Sequence, residues 1–92
     1  MSEASLVTRI KRALKRERGG RWIKVHGGPY QEAGISDIIG CWQGTFYAME
    51  VKLPGKEKTL TNLQQAFIDD INGSGGRATM ITSVDQALKF VK

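Results

Sequence analysis

The feature that most constrains the fold is a pair of apolar, β-rich runs joined by a two-residue turn. The runs cover 35–42 and 45–53, and Gln43 and Gly44 lie between them. Connections of this length close β-hairpins, and the glycine supplies a positive φ. The turn also fixes the register, because the two residues that flank it must face each other. Both runs are apolar on both faces, which predicts central strands that are covered on each side.

Upstream of the hairpin, the sequence predicts one helix and one short strand. Apolar residues at i, i+4 and i+7 over 2–18 are typical of an amphipathic helix, with Ser2 as its N-cap. Residues 21–26 alternate in polarity and predict a strand, and a loop follows to Gly34.

Downstream of the hairpin, the pattern predicts a helix, a strand over 78–82 and a closing helix. Thr61 is the expected N-cap of the first of these helices, with Gln64 completing a capping box, and Ser83 is the expected N-cap of the other. The order αβββαβα predicts an α/β domain with a mixed central sheet flanked by helices and a C-terminal helix. The positions expected to face inward are Leu63, Phe67 and Ile71 in the first of these helices, and Val84, Leu88 and Val91 in the other.

The size and composition of the chain narrow its class. With 92 residues it has room for a single domain, 1–92, and a domain this small would benefit from a second subunit, which favours a homodimer. The net charge of +5 favours a polyanionic partner such as nucleic acid. The single cysteine, Cys41, excludes an internal disulfide. Because no apolar run is long enough to span a membrane and the opening residues are polar, we expect no membrane partner. We therefore expect a cytoplasmic protein without an organic cofactor.

The first helix carries a basic outer face and one acidic residue on its apolar side. The basic face is equally typical of a solvated surface and of phosphate contact. Glu3 falls on the same stripe as the apolar residues, which predicts that it points toward the interior. The alternative is a first-turn carboxylate that interacts favourably with the helix dipole.

Two carboxylates are expected to face each other across the hairpin. The register pairs Asp37 with Glu50, an arrangement that destabilises a sheet unless a cation neutralises it. Lys52 projects from the same face as Glu50. Mg²⁺ binds oxygen ligands, usually one or two carboxylates plus a substrate phosphate, and the lysine can stabilise charge on a reacting phosphodiester. The alternative is an ordinary surface ion pair next to a turn residue.

The spacing of these residues resembles a known nuclease signature. Asp37, then twelve residues, then Glu50-Val51-Lys52 is similar to the PD-(D/E)XK superfamily. The segments 33–37 and 60–64 add a resemblance to stand-alone VRR-NUC domains of the phage type, which are Holliday-junction-resolvase-like. Ser36 stands where the superfamily's name has proline, and Asn62 stands where related sequences often carry the proline that starts the helix.

The resemblance implies a restriction-endonuclease-like αβββαβ core and a role for each matching residue. Glu3, Asp37 and Glu50 would ligate Mg²⁺ or Mn²⁺, with the Val51 carbonyl as a further ligand. Asp37, Glu50, Lys52 and Gln64 would form the catalytic set, and Gln64 would point from the second helix into the site.

Several other residues are candidates for DNA contact. Lys24 and Gln31 lie on the strand and loop that lead to Asp37, where a DNA strand would pass. His26 is more typical of a structural strand-end histidine, and the two tryptophans are more typical of core residues. The remaining DNA-binding candidates are Arg9, Arg12, Lys56 and Lys58.

The residues and the resemblance together predict a divalent-metal-dependent endonuclease that hydrolyses phosphodiester bonds in branched DNA such as four-way junctions. A symmetric junction cut on two strands calls for a two-fold dimer. The alternative is a basic module that binds nucleic acid without cutting it. A structural or protein-interaction domain is a weaker alternative, because it leaves both the charge and the opposed carboxylates unexplained.

Overall fold

A computed structural model describes all residues of the chain, 1–92. It contains three α-helices, four β-strands and one 3₁₀ turn, in the αβββαβα order that the sequence predicts. The elements are α1 (Glu3–Glu17), β1 (Arg21–Lys24), β2 (Ile38–Trp42), β3 (Thr45–Val51), the 3₁₀ turn (Glu57–Thr59), α2 (Asn62–Gly73), β4 (Arg77–Ile81) and α3 (Val84–Phe90).

The four strands form one mixed sheet in the order β1-β2-β3-β4. The first three strands are antiparallel, and β4 runs parallel to β3 after the α2 crossover. Gln43 and Gly44 have φ values of 48° and 80°, which is the geometry of a two-residue hairpin turn with both central residues at positive φ. Trp42 pairs with Thr45, so the predicted register is confirmed.

The two faces of the sheet bury separate apolar clusters. Helices α1 and α3 cover one face, where the larger cluster includes Ile10, Leu14 and Met49. Helix α2 covers β3 and β4 on the other face, where Ala48, Ile68 and Ala78 form a smaller cluster. The strands β2 and β3 are therefore the central ones, as their sequence predicts.

The N-caps follow the sequence prediction. The Ser2 hydroxyl accepts from the Ser5 N–H at 3.0 Å. Thr61 and Gln64 form the complete capping box at the start of α2, and the Ser83 hydroxyl accepts from the Gln86 N–H at 3.1 Å. These contacts are local, so short sequence patterns are enough to predict them.

The inward face of α2 differs from the prediction. Ile68 is the buried residue of this helix, and Phe67 and Ile71 only partly pack against the small cluster. Leu63 is 60 % exposed, so its predicted inward position is wrong. It lies in the first turn of the helix, where the loop before β2 passes close to its backbone at Gly34. In α3 the helix buries Ala87, which the prediction missed, while Val84 and Leu88 pack partly against the core.

The loop before the hairpin is longer than predicted. β1 ends at Lys24 rather than at residue 26, and β2 begins at Ile38 rather than at residue 35. The Val25 N–H still donates to the Asp37 carbonyl at 2.8 Å, and beyond that bond the chain leaves the sheet. None of the helices has the length and apolar character that a membrane crossing requires.

Candidate active site

The candidate site is built around a buried glutamate on the central strand β3. Glu50 is 2 % exposed, and its Oε1 atom is buried without any hydrogen-bond partner. Its neighbours Met49 and Val51 point into the larger cluster, so alternation along the strand places Glu50 on the α2 face of the sheet. A buried carboxylate oxygen without a partner is costly in free energy, which marks this position as one the fold alone does not favour.

Asp37 lies beside Glu50 at the end of the β2–β3 ladder. Ile38 pairs with Met49, so the register brings Asp37 opposite Glu50, as the sequence predicts. The Asp37 backbone carbonyl accepts from the Val25 N–H, and its Oδ2 atom accepts from the Val51 N–H at 2.8 Å. These bonds tie Asp37 to both neighbouring strands and hold its carboxylate in place. The side chain keeps a second oxygen for a ligand.

The environment of Glu50 favours its protonated form. The pKa of Glu50 is raised from its ordinary value of 4.5 to about 8, chiefly because burial disfavours the charged carboxylate. The interaction with Asp37 raises this pKa as well, and Glu3 adds a smaller effect in the same direction. Only the Lys52 ammonium group lowers it. The negative charge of the pair is therefore undercompensated by the side chains around it.

Lys52 directly follows β3 and lies on the same face as Glu50. The residue is 8 % exposed, and its Nζ lies 3.9 Å from Glu50 Oε2. This separation is too long for a strong hydrogen bond, so the ammonium group keeps its donors for another acceptor. A nearly buried lysine seldom occurs without a paired charge or a function. The alternative of a solvent-exposed ion pair is therefore wrong for Glu50 and Lys52.

The Val51 carbonyl points to the side of β3 on which the Asp37 carboxylate lies. The Lys52 N–H donates to the Ile81 carbonyl at 3.0 Å, toward β4. Backbone groups alternate sides along a strand, so the N–H and C=O of Val51 point the other way, toward Asp37. The N–H already donates to Asp37. The carbonyl is thus an oxygen donor near the two carboxylates.

Glu3 does not point into the interior as its place on the apolar stripe predicts. It is exposed in the first turn of α1, where only the helix beyond it packs on the sheet. Its charge is nevertheless close enough to raise the pKa of Glu50. No three acidic, histidine or cysteine side chains come together closely enough to form a metal-binding cluster. The role of Glu3 as a third metal ligand stays a prediction.

Gln64 is on the helix that covers the Glu50 face of the sheet. Its Oε1 atom accepts from the Thr61 N–H at 2.9 Å in the capping box, and the residue is half-buried. The amide nitrogen of this side chain makes no hydrogen bond within the chain, which leaves it as a donor. The structure thus assigns Gln64 a capping contact, and its catalytic role stays a prediction.

Lys24 and Arg12 line a basic groove between α1 and β1. This basic groove has a volume of about 280 Å³, and it adjoins a smaller cleft at Arg21. Arg9 lies apart from it, in a neighbouring cleft with Arg12 and Arg16. The groove contains no acidic residue, which makes it a site of concentrated positive potential. Its lining residues are Thr8, Lys11, Arg12, Lys15 and Lys24.

Gln31 lines a second depression, which borders Asp37. This loop cleft has a volume of about 340 Å³ and is formed by the segment between β1 and β2. Lys24 lines the basic groove on the α1 face of the sheet, and Val25, the next residue, lines the loop cleft; consecutive extended residues point to opposite faces. Lys56 and Lys58 are exposed at the 3₁₀ turn and line neither depression.

Sequence reasoning placed Lys11 and Lys15 on the basic outer face of the first helix without singling them out, and the structure shows that both line the basic groove. Ser36 is 1 % exposed and its hydroxyl has no partner, a property that no sequence pattern reveals.

Comparison with known proteins does not assign the chain. No family model matches it, and no curated protein is similar to it in sequence.

Proposed function

We propose that this protein is a divalent-metal-dependent endonuclease that hydrolyses phosphodiester bonds in DNA. The observation that carries the proposal is the buried Glu50 carboxylate, with its unpartnered Oε1, beside Asp37 and within 3.9 Å of the Lys52 ammonium. Such a cluster lowers the stability of the fold, so its presence on a central strand points to a ligand that it serves.

The residues present fit a Mg²⁺ or Mn²⁺ ion. Glu50 Oε1, the second oxygen of Asp37 and the Val51 carbonyl are hard oxygen donors near the end of the two central strands. Two carboxylates with a substrate phosphate are a common ligand set for Mg²⁺. A divalent cation held there would supply Lewis-acid neutralisation of charge at the phosphate. The resemblance implies Glu3 as a third carboxylate ligand, and its charge acts on Glu50 from the first turn of α1.

Lys52 supplies a fixed positive charge at the reacting group. Its ammonium donors are aimed from the same face as Glu50, and its near-complete burial keeps that charge poorly screened by water. In this position it would orient the attacking water or stabilise negative charge on the phosphate oxygens as the bond to the leaving group breaks. Asp37, held by two backbone N–H donors, provides the rigid part of the site.

The basic groove supports nucleic acid as the substrate. Four cations without a carboxylate line it, a concentration of positive charge that suits a polyanion. We infer branched DNA, with four-way junctions as the leading target, from the resemblance to VRR-NUC nucleases. A symmetric junction would be cut by a homodimer. The proposed setting is the cytoplasm of a bacterial or phage-infected cell.

The same groove also supports a second candidate function, a module that binds nucleic acid without cutting it. The two candidates differ in what they require of the carboxylates. A binding module would bind DNA equally well after Asp37→Asn, and it would have no use for a divalent cation.

The test is cleavage of a labelled four-way junction beside a linear duplex of the same sequence, with Mg²⁺ or Mn²⁺. Wild type is expected to cut the junction preferentially, and Asp37→Asn and Lys52→Ala are expected to lose cleavage while keeping their circular-dichroism spectra. If wild type binds both DNAs but cuts neither with either metal, the binding-module function replaces the nuclease.

A further inference from the structure

The α2 face of the sheet is only partly covered. Helix α2 packs over β3 and β4, while α1 and α3 share the opposite face. Four strands spaced about 4.8 Å apart make a sheet wider than one helix, whose diameter is about 10 Å. One helix therefore leaves the β1 and β2 half of this face open.

The open half of the face is apolar. Ile23 and Phe46 are the two large apolar side chains of the sheet that are exposed, at 45 % and 39 %. Both lie on the α2 face, because their neighbours Trp22 and Tyr47 are buried on the other face. Cys41 is exposed as well; it pairs with Phe46 and is diagonal to Ile23. We call Ile23, Cys41 and Phe46 the hairpin patch.

The hairpin patch lies away from the candidate site. Cys41 and Phe46 are next to the β2–β3 turn, whereas Asp37 and Glu50 lie at the opposite ends of the same two strands. A molecule that docks on the patch therefore leaves the carboxylates of the site accessible.

Opposite charges flank the hairpin patch. Arg21 begins β1 on one side of it and is exposed without an ion pair. On the other side, the last turns of α2 carry Asp69 and Asp70, both exposed, and this helix contains no lysine or arginine. The two carboxylates repel a nucleic acid, so the occupant that fits is a protein surface with an apolar centre and both signs of charge.

A second copy of this chain presents such a surface. In a two-fold dimer the same patch faces itself, so every contact occurs twice. An axis that runs along the strands, between β1 and α2, brings the basic flank of each copy to the acidic flank of the other. It also sets the two α2 helices side by side, each next to the open half of the other copy's sheet.

We propose that the hairpin patch is the two-fold interface of a homodimer, in which Arg21 of each copy pairs with Asp70 of the other. This interface rests on the proposed function for its two-fold symmetry and adds to it the face that the dimer uses. Because the axis runs along the strands, both candidate sites lie at the same end of the dimer, where one branched DNA reaches both.

The first experiment measures the molar mass of the metal-free protein without DNA, by light scattering after size-exclusion chromatography over a range of concentrations. Wild type is expected to have twice the chain mass of 10.2 kDa. Ile23→Glu places a charge in the interface at a position that is exposed in the single chain. It is expected to weaken self-association at least about 10-fold with an unchanged circular-dichroism spectrum.

A charge exchange tests the arrangement of the two copies. Arg21→Glu and Asp70→Arg are each expected to weaken the dimer, because each reversal opposes like charges, and the combined variant is expected to restore it. Asp85→Arg is the matched control. Asp85 is an exposed carboxylate on α3, which packs on the other face of the sheet, so its reversal is expected to leave the dimer unchanged.

The only thiol of the chain reports whether the patch is covered. Alkylation of Cys41 is expected to slow in wild type as the protein concentration rises, and to stay fast in Ile23→Glu at every concentration.

The outcomes separate the interface from the nuclease. Wild type that is monomeric at all concentrations, or a dimer that Ile23→Glu leaves intact, would overturn the interface without bearing on cleavage. A combined charge variant no better associated than the single ones would overturn the two-fold arrangement. A dimer that behaves as expected but does not cut DNA would overturn the nuclease and leave the interface standing.

Discussion

At the scale of single residues, Glu50 links the stability of the fold to the chemistry of the site. Its carboxylate is buried on a central strand, and one of its oxygens has no partner. Its neighbours include a second carboxylate, Asp37, and one ammonium group, that of Lys52. A protein without function would gain stability by replacing this glutamate with an uncharged residue.

We predict that Glu50→Gln stabilises the metal-free protein at alkaline pH. The folded-state pKa of Glu50 is about 8, above the ordinary value of 4.5. The folded state therefore binds more protons than the unfolded state between these values, and stability falls as pH rises, by at most about 1.4 kcal/mol per pH unit. The contribution of protonated Glu50 to the free energy of unfolding is complete below pH 4.5 and is lost above pH 8. Glutamine does not titrate, so the Glu50→Gln variant has no such pH dependence.

Urea denaturation from pH 5 to 9 in EDTA measures this effect. The stability of wild type relative to Glu50→Gln is expected to decline across the window by a few kcal/mol in total. Two curves that run parallel at all pH values would contradict the raised pKa. Addition of Mn²⁺ at pH 8 is expected to stabilise wild type and not the variant, because binding to the folded state alone raises stability.

At the scale of elements, the features predicted correctly depend on residues close together in the sequence. The features that the prediction missed depend on contacts between segments distant in the sequence. The hairpin register follows from a two-residue turn, and that register alone brings Asp37 to Glu50. By contrast, the exposure of Leu63 depends on where α2 crosses the sheet, and the loop cleft depends on how 25–37 folds back. The periodicity of a single segment predicts neither the exposure of Leu63 nor the loop cleft.

Arg18, at the C-terminal end of α1, links α1 to α3. The sequence pattern does not distinguish it from the other cations of the first helix. Its Nε donates to the Val91 carbonyl at 2.6 Å, and its Nη2 donates to the Leu88 carbonyl at 2.8 Å. These bonds satisfy carbonyls at the end of α3, where the helix has no internal donors left.

We predict that Arg18→Ala destabilises the protein by about 1–3 kcal/mol, because it leaves partly buried carbonyls without donors. Arg16→Ala is the matched control, since Arg16 is exposed and contacts only its neighbour Glu17. Thermal or urea denaturation of both variants tests this. Equal stabilities of the two variants would show that the Arg18 contacts contribute nothing.

The capping box at α2 allows the two roles of Gln64 to be separated. Thr61→Ala and Gln64→Ala each remove half of the box, and each is expected to cost about 1 kcal/mol of stability. If Gln64 also acts in the site, only Gln64→Ala lowers the cleavage rate, measured under conditions in which both variants are fully folded. Equal cleavage rates would restrict Gln64 to its capping role.

At the scale of the whole molecule, positive charge is concentrated in a groove on the α1 face of the sheet. The basic groove and its smaller neighbour share Lys11 and Lys15 and contain no carboxylate. The net charge of +5 is therefore unevenly distributed, with four cations gathered between α1 and β1. Such a distribution speeds association with DNA and makes affinity dependent on salt.

We predict that Lys11→Ala/Lys15→Ala weakens DNA binding and flattens its salt dependence. Each lost phosphate contact lowers the slope of log affinity against log salt by about 0.9 for duplex DNA. Lys89→Ala/Lys92→Ala removes the same charge from the exposed C-terminal part of the chain and is the matched control. Fluorescence anisotropy at four salt concentrations measures both. Identical slopes for the two double variants would contradict a role for the groove.

The central claim is that the Asp37, Glu50 and Lys52 cluster hydrolyses DNA with a divalent cation. The most direct test is single-turnover cleavage of a four-way junction as Mg²⁺ is titrated, with wild type and Asp37→Asn side by side. The account predicts cleavage by wild type that rises to saturation with Mg²⁺ and stops in EDTA, and none by the folded variant. Wild type that stays inactive at every Mg²⁺ concentration, or a variant that cuts at the wild-type rate, would contradict it.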